Sequence, residues 1–181
     1  MLMGLCPFFQ AGPFKPAVPT TGPSKAIQKS SHSSPLYPLV QRRTDPALFA
    51  KLDKVFRFTV DTCADADNAL LPRYWTNAAR KDWRSERVFC NPPFAGLAPI
   101  IAKAPTAQLC VMVHMLNALT AKYFHEHTAD FLLLPPRRLK FIPPEEIEER
   151  GINFGTGLLV YGRISDGQRR QLKDDWLIYR L

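Results

Sequence analysis

At 181 residues the chain is long enough for about one domain and leaves little for a second. Hydrophobic residues make up 46% of it, which excludes a uniformly disordered chain, and no apolar run approaches the roughly 20 residues needed to cross a bilayer. The net charge of +8 suits a polyanionic partner, because neutralised phosphates release counterions.

Residues 1 to about 43 are rich in Pro, Ser, Thr and Lys, and Ser30-Ser31-His32-Ser33-Ser34 has nothing to bury. The segment reads as a disordered or loosely attached arm, with the folded domain at 44–181. Part of the positive charge sits here: Lys15, Lys25, Lys29, Arg42 and Arg43 face only Asp45 before position 46. The apolar start from Met1 to Phe9 lacks a basic leading region and a clean cleavage site, so it reads as a mobile tail or leader rather than a signal peptide. Cys6, Cys63, Cys90 and Cys110 have no metal-ligand spacing, and the last three lie in apolar stretches. Buried thiols in a reducing cytosol are the simplest reading.

Order is expected from Thr44-Asp45-Pro46, where Asp45 can cap a helix and Pro46 fits its first turn. Leu48, Phe49, Leu52, Val55 and Phe56 follow at helical spacing. Phe58-Thr59-Val60-Asp61 reads as a short buried strand ending in an acid. Residues 62 to 86 read as irregular and polar. Arg87-Val88-Phe89-Cys90 is a second strand, running directly into Asn91-Pro92-Pro93-Phe94. Two prolines cannot continue a central strand, so this motif is predicted to be a loop at the strand's carboxyl end.

A short helix is predicted over Leu97 to Lys103, a strand over Gln108 to Met115, a helix over Leu119 to His127 and a strand over Ala129 to Leu134. Arg138 to Phe141 suggests a further strand, Pro143 to Arg150 a short acidic helix or turn, Thr156 to Tyr161 another strand, and Trp176 to Tyr179 a closing edge. Strands alternating with helices indicate an α/β sheet. Ligands of open α/β sheets lie beyond the carboxyl ends of the strands. Asp61 and Asn91 both sit at such ends, so they can share one crevice.

The Asn-Pro-Pro-Phe loop suits a planar NH2 group. Such a nitrogen is a poor nucleophile while its lone pair is delocalised into a ring. Accepting hydrogen bonds from both hydrogens favours a pyramidal nitrogen. The Asn91 side-chain oxygen can accept one bond and the Pro92 carbonyl the other. The consecutive prolines stiffen the loop, so little reorganisation is needed. Phe94 supplies a flat apolar face on which an extruded base can stack, an interaction worth roughly 1–3 kcal/mol. The tetrapeptide alone is weakly specific in a chain with 17 prolines; its placement directly after an apolar strand raises its weight.

Arg137, Arg138 and Lys140 follow two prolines, as either a patch for DNA phosphates or a solvated surface cluster. His125-Glu126-His127 reads as a surface pair, since positions i and i+2 diverge around a helix. Glu145, Glu146, Glu148 and Glu149 read as a solvated acidic face.

Residues 45 to about 162 resemble the phage-encoded DNA N6-adenine methyltransferase family, the small Dam-type enzymes. The resemblance rests on an ordered set: the helix with Leu48-Phe49; Phe58-Thr59-Val60-Asp61-Thr62-Cys63-Ala64 with Asn68; Pro72-Arg73-Tyr74; Trp83; Val88-Phe89-Cys90-Asn91-Pro92-Pro93-Phe94; Arg138-Leu139-Lys140-Phe141; and Gly157-Leu158-Leu159-Val160-Tyr161. It implies a Rossmann-like class I methyltransferase fold, a compact single sheet with flanking helices. It also implies S-adenosylmethionine as donor, DNA with a flipped adenine as substrate, and the cytoplasm of a bacterial or phage-infected cell as location.

The family's catalytic motif falls on Asn91, Pro92, Pro93 and Phe94, and its cofactor segment on Asp61, Ala64 and Asn68, with Tyr74 close by. Asp61 can accept from the donor's ammonium or ribose hydroxyls, Asn68 can offer an amide, and Tyr74 or Trp75 can pack on its adenine. The chain departs from similar proteins in three places. No Gly-x-Gly turn follows the first strand, where Asp65-Ala66-Asp67 is acidic. His114-Met115-Leu116-Asn117 stands where a Pro and an Arg are frequent. Phe94 replaces a more frequent Tyr. The alternatives are methylation of another NH2 nitrogen (cytosine N4, RNA adenine, protein glutamine) and a catalytically silent nucleic-acid-binding or inhibitory module.

Overall fold

Thr44-Asp45-Pro46 starts the first helix as its residue types predict. In the computed structural model, which describes residues 43–93, 96–142 and 155–181, strand β1 (Arg43–Thr44) leads into helix α1 (Pro46–Phe56). The Asp45 carboxylate accepts from the Ala47 backbone N–H at 2.8 Å, satisfying one of the donors that a helix start leaves open. Phe49, Leu52 and Phe56 form the buried stripe. The helix ends on Arg57 in the left-handed region, at φ 53°, without a glycine. Its last carbonyls are met from across the fold: Arg87 donates from Nε to the Phe56 oxygen at 2.7 Å and to the Arg57 oxygen at 3.1 Å. A guanidinium at a helix C-terminus also complements the dipole.

Seven strands form the main sheet: β2 (Val60–Thr62), β3 (Tyr74–Trp75), β4 (Arg87–Cys90), β5 (Leu109–Met115), β6 (Phe131–Leu134), β8 (Thr156–Tyr161) and β9 (Leu177–Arg180). Their order is β3-β2-β4-β5-β8-β6-β9. β3, β2, β4 and β5 pair in parallel. β8 runs antiparallel to both β5 and β6, and β9 antiparallel to β6. β7 (Phe141–Ile142) stands outside this sheet and pairs with β1 in a two-stranded antiparallel ribbon, Thr44 opposite Phe141. The central strands are buried on both faces, which is why they read as continuous apolar runs rather than alternating ones.

Helices cover the sheet on both sides. α1 and α4 (Asp166–Leu172) pack Phe49, Leu52, Phe56 and Leu172 against Phe89, Val111, Val113, Leu133, Leu158 and Val160. On this face Phe49, Phe58 and Phe89 form an aromatic cluster, the Phe49 and Phe89 rings meeting edge-on at 5.0 Å. On the other face α2 (Ala98–Ile101) and α3 (Lys122–Glu126) pack Ile100, Ile101 and Phe124 with Trp83 against Val60, Val88, Cys90, Cys110, Met112 and Leu159. Each fully buried Leu, Phe or Met contributes roughly 1.5–3 kcal/mol. Among the described residues no helix is long and apolar enough to cross a membrane.

Several elements differ from the sequence reading. The stretch 62–86 is not wholly irregular, because Tyr74–Trp75 adds a parallel strand beside β2. Asp61 N–H donates to the Arg73 oxygen at 3.0 Å and Cys63 N–H to the Trp75 oxygen at 2.9 Å. Two residues are too short to carry a period. The first sheet strand is Val60–Thr62 rather than 58–61. α2 and α3 are shorter than predicted, and α2 gives way to a 3-10 turn at Ala104–Thr106, since the residue before Pro105 disfavours continued helix. The strand foreseen at 138–141 is the ribbon strand β7. α4 was not foreseen, because it buries only Leu172. Its signal lay at its start: Ser165 and Gln168 form a capping box, with bonds of 2.9 and 3.2 Å. Of the arm expected at 1–43, residues 1–42 lie outside the described residues, as do Phe94 and the acidic run from Glu145 to Glu149, while Arg43 belongs to β1.

Candidate active site

The strand order decides where a ligand can sit. The chain leaves β2 to form β3 on one side, then returns to form β4 on the other. Connections that diverge from neighbouring strands open a crevice beyond their carboxyl ends. Here those ends are Asp61 and Thr62 on β2 and Phe89 and Cys90 on β4, paired Asp61 with Phe89 and Thr62 with Cys90. Asn91 is the next residue of the chain, and Asn91-Pro92-Pro93 is a loop there, as the two prolines require.

A small cleft occupies this position, lined by Thr44, Asp61, Cys63, Ala64, Asn68 and Asn91 among others. Three of the four residues expected at a cofactor therefore share one crevice with the expected catalytic asparagine. Tyr74 does not join them: it is 38% exposed and lines neither this cleft nor its neighbour. Trp75, its alternative, is half-buried with the Arg73 guanidinium 5.4 Å from its ring centre.

Asp61 is 3% exposed and accepts from the Leu70 N–H at 2.8 Å. Burial pushes its carboxyl up to about 6, against the opposing pull of the Leu70 bond. No salt bridge to Asp61 lies among the described residues. A buried carboxylate with one backbone donor gains most from a cation brought by a ligand.

Asn68 closes a tight turn. Its Oδ1 accepts from the Asp65 N–H at 3.0 Å, while its own N–H donates to Asp65 Oδ1 at 3.2 Å. The acidic pair beside it, Asp65 and Asp67, is exposed.

The turn after β2 works without the glycines that dinucleotide-binding loops use. Cys63 takes the left-handed conformation at φ 62°, which costs a non-glycine residue about 1–3 kcal/mol. Two bonds to the Trp75 oxygen hold it, from the Cys63 and Ala64 N–H groups at 2.9 and 3.3 Å. Its Sγ lies 3.9 Å from Cys90 Sγ. Cys63, Cys90 and Cys110 are all buried thiols, and burial pushes Cys90 and Cys110 well up, so those two stay protonated and unreactive.

The Asn91 side chain is held from outside its own strand: Nδ2 donates to Thr44 Oγ1 at 3.0 Å. Pro92 is buried and Pro93 half-buried. Pro93 lines a second cleft, of about 240 Å3, with Cys63, Thr76, Asn77, Gly96 and Ile100. The loop thus contributes Asn91 to one cleft and Pro93 to the other, and Cys63 borders both. Thr44, Cys63, Thr76 and Asn77 were not singled out from sequence, since nothing local distinguishes a buried Thr or Cys at a site from one in a core.

Arg137, Arg138 and Lys140 are exposed on the segment entering β7, the ribbon partner of the strand that carries Thr44. His114, near the carboxyl end of β5, is fully buried. Its Nδ1 lies 2.8 Å from the Met115 oxygen, and its Nε2 has no hydrogen-bond partner among the described residues. Burial lowers its pKa, so the ring is neutral near pH 7.

Among curated proteins and among solved structures, none matches the chain significantly. Residues 40–175 match the family model described as DNA N-6-adenine-methyltransferase (Dam). The parallel strands ending at a shared crevice, the antiparallel strand inserted beside β5 and the helices on both faces form a class I, Rossmann-like methyltransferase fold. With the match spanning the ligand crevice and most of the chain, the protein belongs to the DNA N-6-adenine-methyltransferase (Dam) family.

Proposed function

We propose that the chain transfers a methyl group from S-adenosylmethionine to N6 of adenine in DNA, acting on a base extruded from the duplex, in the cytoplasm of a bacterial or phage-infected cell. Family membership makes it an adenine-specific methyltransferase with S-adenosylmethionine as donor; the DNA target, the extrusion and the residue roles are the proposal. The observation that carries it is the placement of Asn91, one residue past β4, in the crevice that holds the buried Asp61 carboxylate.

The residues suit the donor. Asp61 is a buried acid with no salt bridge among the described residues, matched to an α-ammonium or a ribose hydroxyl. The Asn68 amide offers a donor to the same cleft. The second cleft is the roomier of the two. The polar amino-acid end therefore belongs with Asp61 and Asn68, and the larger ring system beyond Cys63, toward Thr76 and Asn77. When bound, the group supplies an electrophilic methyl carbon on a sulfonium.

The chain's own part is to hold and polarise the acceptor nitrogen. Asn91 Oδ1 and the Pro92 carbonyl accept from the two N6 hydrogens, turning the lone pair toward the donor and stabilising the positive charge that grows on nitrogen. The stiff loop fixes both acceptors before reaction, so positioning supplies much of the rate. Phe94 stacks on the base. Extrusion is required because N6 is otherwise out of reach. The net charge of +8 and the exposed Arg137, Arg138 and Lys140 favour a nucleic acid over a protein glutamine.

The test is nucleoside analysis. Duplex DNA is incubated with the protein and methyl-labelled donor, then digested and separated. N6-methyldeoxyadenosine is the expected product. Label found only in N4-methyldeoxycytidine, only in RNA given in parallel, or nowhere would overturn the reading.

A further inference from the structure

We propose that Thr44 is a positioning residue for Asn91: its hydroxyl accepts from the Asn91 amide and fixes the place of that side chain in the cleft. This deepens the reading above and rests on it, because that placement matters only if Asn91 acts as an acceptor. An asparagine side chain has a donor end and an acceptor end of nearly the same shape. Turned by half a rotation, it would set its own NH2 against the NH2 of the target, and the acceptor role would be lost. In the arrangement seen, the Nδ2 end donates to Thr44 Oγ1 at 3.0 Å.

Thr44 is well placed to hold that side chain. It is 4% exposed. Its backbone is pinned on one side by ribbon pairing with Phe141 and on the other by the next residue, Asp45, which caps α1. A β-branched side chain on a pinned backbone has few rotamers, so Oγ1 stays in place. The two residues are 47 positions apart in the chain, so the place of the loop amide is set by an element outside β4. The ribbon gives this a further consequence. The segment carrying Arg137, Arg138 and Lys140 runs into β7, and β7 pairs with the strand bearing Thr44. The exposed cations and the loop amide are thereby linked through one short chain of contacts.

The experiment uses the full chain and three variants: Thr44→Val, which keeps the shape and removes the hydroxyl, Thr44→Ser, which keeps the hydroxyl, and Thr44→Ala. The first readout is independent of catalysis. In nitrogen-15-labelled protein the side-chain NH2 signals of Asn91, assigned by their loss in Asn91→Ala, are expected to exchange slowly with water and to lie downfield in the wild type and Thr44→Ser. In Thr44→Val both features should be lost. The second readout is kinetic: kcat falls at least about tenfold in Thr44→Val, Thr44→Ser recovers most of that loss, and the donor Kd by calorimetry changes by less than about threefold. Should Thr44→Val fail to fold, Thr44→Ala gives the same comparison. Unchanged Asn91 signals in a folded variant without the hydroxyl overturn the proposal, as does a fall in donor affinity that accounts for the whole loss of rate. If the wild type makes no N6-methyladenine, the function proposed above fails by itself, and the amide signals still decide the role of Thr44.

Discussion

The two halves of the sheet use the same kind of residue for different ends. β3, β2, β4 and β5 run parallel, so their carboxyl ends lie along one edge and their following loops gather there. β8, β6 and β9 alternate in direction, so their ends are shared between both edges. Asp61 lies on a strand of the parallel half, and Cys63, Asn68 and Asn91 follow its strands. The antiparallel half is equally apolar, with Leu133, Leu158, Leu159 and Val160 fully buried, yet none of its described strand residues lines either cleft. One half builds a site and the other supplies burial that keeps the sheet together. The comparison can be broken from either side, because a substitution in one half should leave the property of the other intact.

The largest effect belongs to the parallel half. Asn91→Ala is expected to abolish methyl transfer, with a loss well beyond the tenfold that corresponds to about 1.4 kcal/mol, while melting temperature and donor Kd stay near wild type. Single-turnover assays and calorimetry check this; a variant keeping more than a tenth of wild-type kcat removes Asn91 from the chemistry. The counterpart in the antiparallel half is Leu158→Ala. Leu158 sits between Val113 of β5 and Leu133 of β6 with no exposure. Its truncation should lower unfolding free energy by about 2–5 kcal/mol in denaturant titrations, with kcat per folded molecule little changed below the new melting point.

Asp61 sharpens the comparison by setting stability against function within one residue. Its folded carboxyl holds a proton up to about pH 6, against an ordinary value of 3.8. The folded chain therefore binds the proton more tightly than the unfolded chain. The stability this brings is complete below about 3.8 and is lost as pH rises through about 6, a difference of roughly 3 kcal/mol. Asp61→Asn should flatten that fall and make the donor-free protein more stable at pH 8. Donor affinity runs the other way: if Asp61 meets the ammonium, affinity rises as pH climbs through about 6, and Asp61→Asn loses both the rise and the affinity. Thermal melts and calorimetry from pH 4 to 8 test both signs.

The smallest effect is again in the antiparallel half. Ser165→Ala removes the side chain that caps α4 and accepts from Gln168, and should cost about 1 kcal/mol with no change in kcat. A comparable loss of activity from this substitution would show that the two halves are coupled more tightly than their separate roles require.

How far the site was legible can be judged residue by residue. The Asn-Pro-Pro run was readable because proline chemistry is local: two prolines after an apolar strand can only be a loop at its end, wherever the rest of the chain goes. Asp45 was readable for the same reason, since a cap bonds to its own helix two residues on. Even the overlooked α4 announced itself locally through Ser165 and Gln168. The grouping of Asp61, Ala64 and Asn68 followed from their nearness in the chain. Tyr74 lines neither cleft; β3 pairs with β2 in parallel and sets it opposite Asp61, a register no short segment encodes.

What the amino-acid order determined by itself, then, was the set of local devices: caps, the proline loop, the apolar strands and the family. The tertiary structure alone decided which of them face each other. It placed β4 rather than another strand beside β2, so that Asn91 and Asp61 share a crevice, and it brought Thr44 across 47 residues to the Asn91 amide. The reason is physical. A cap or a proline acts within one turn of the chain, whereas strand order and register are settled by which apolar faces bury together, and that choice is made by the whole core at once.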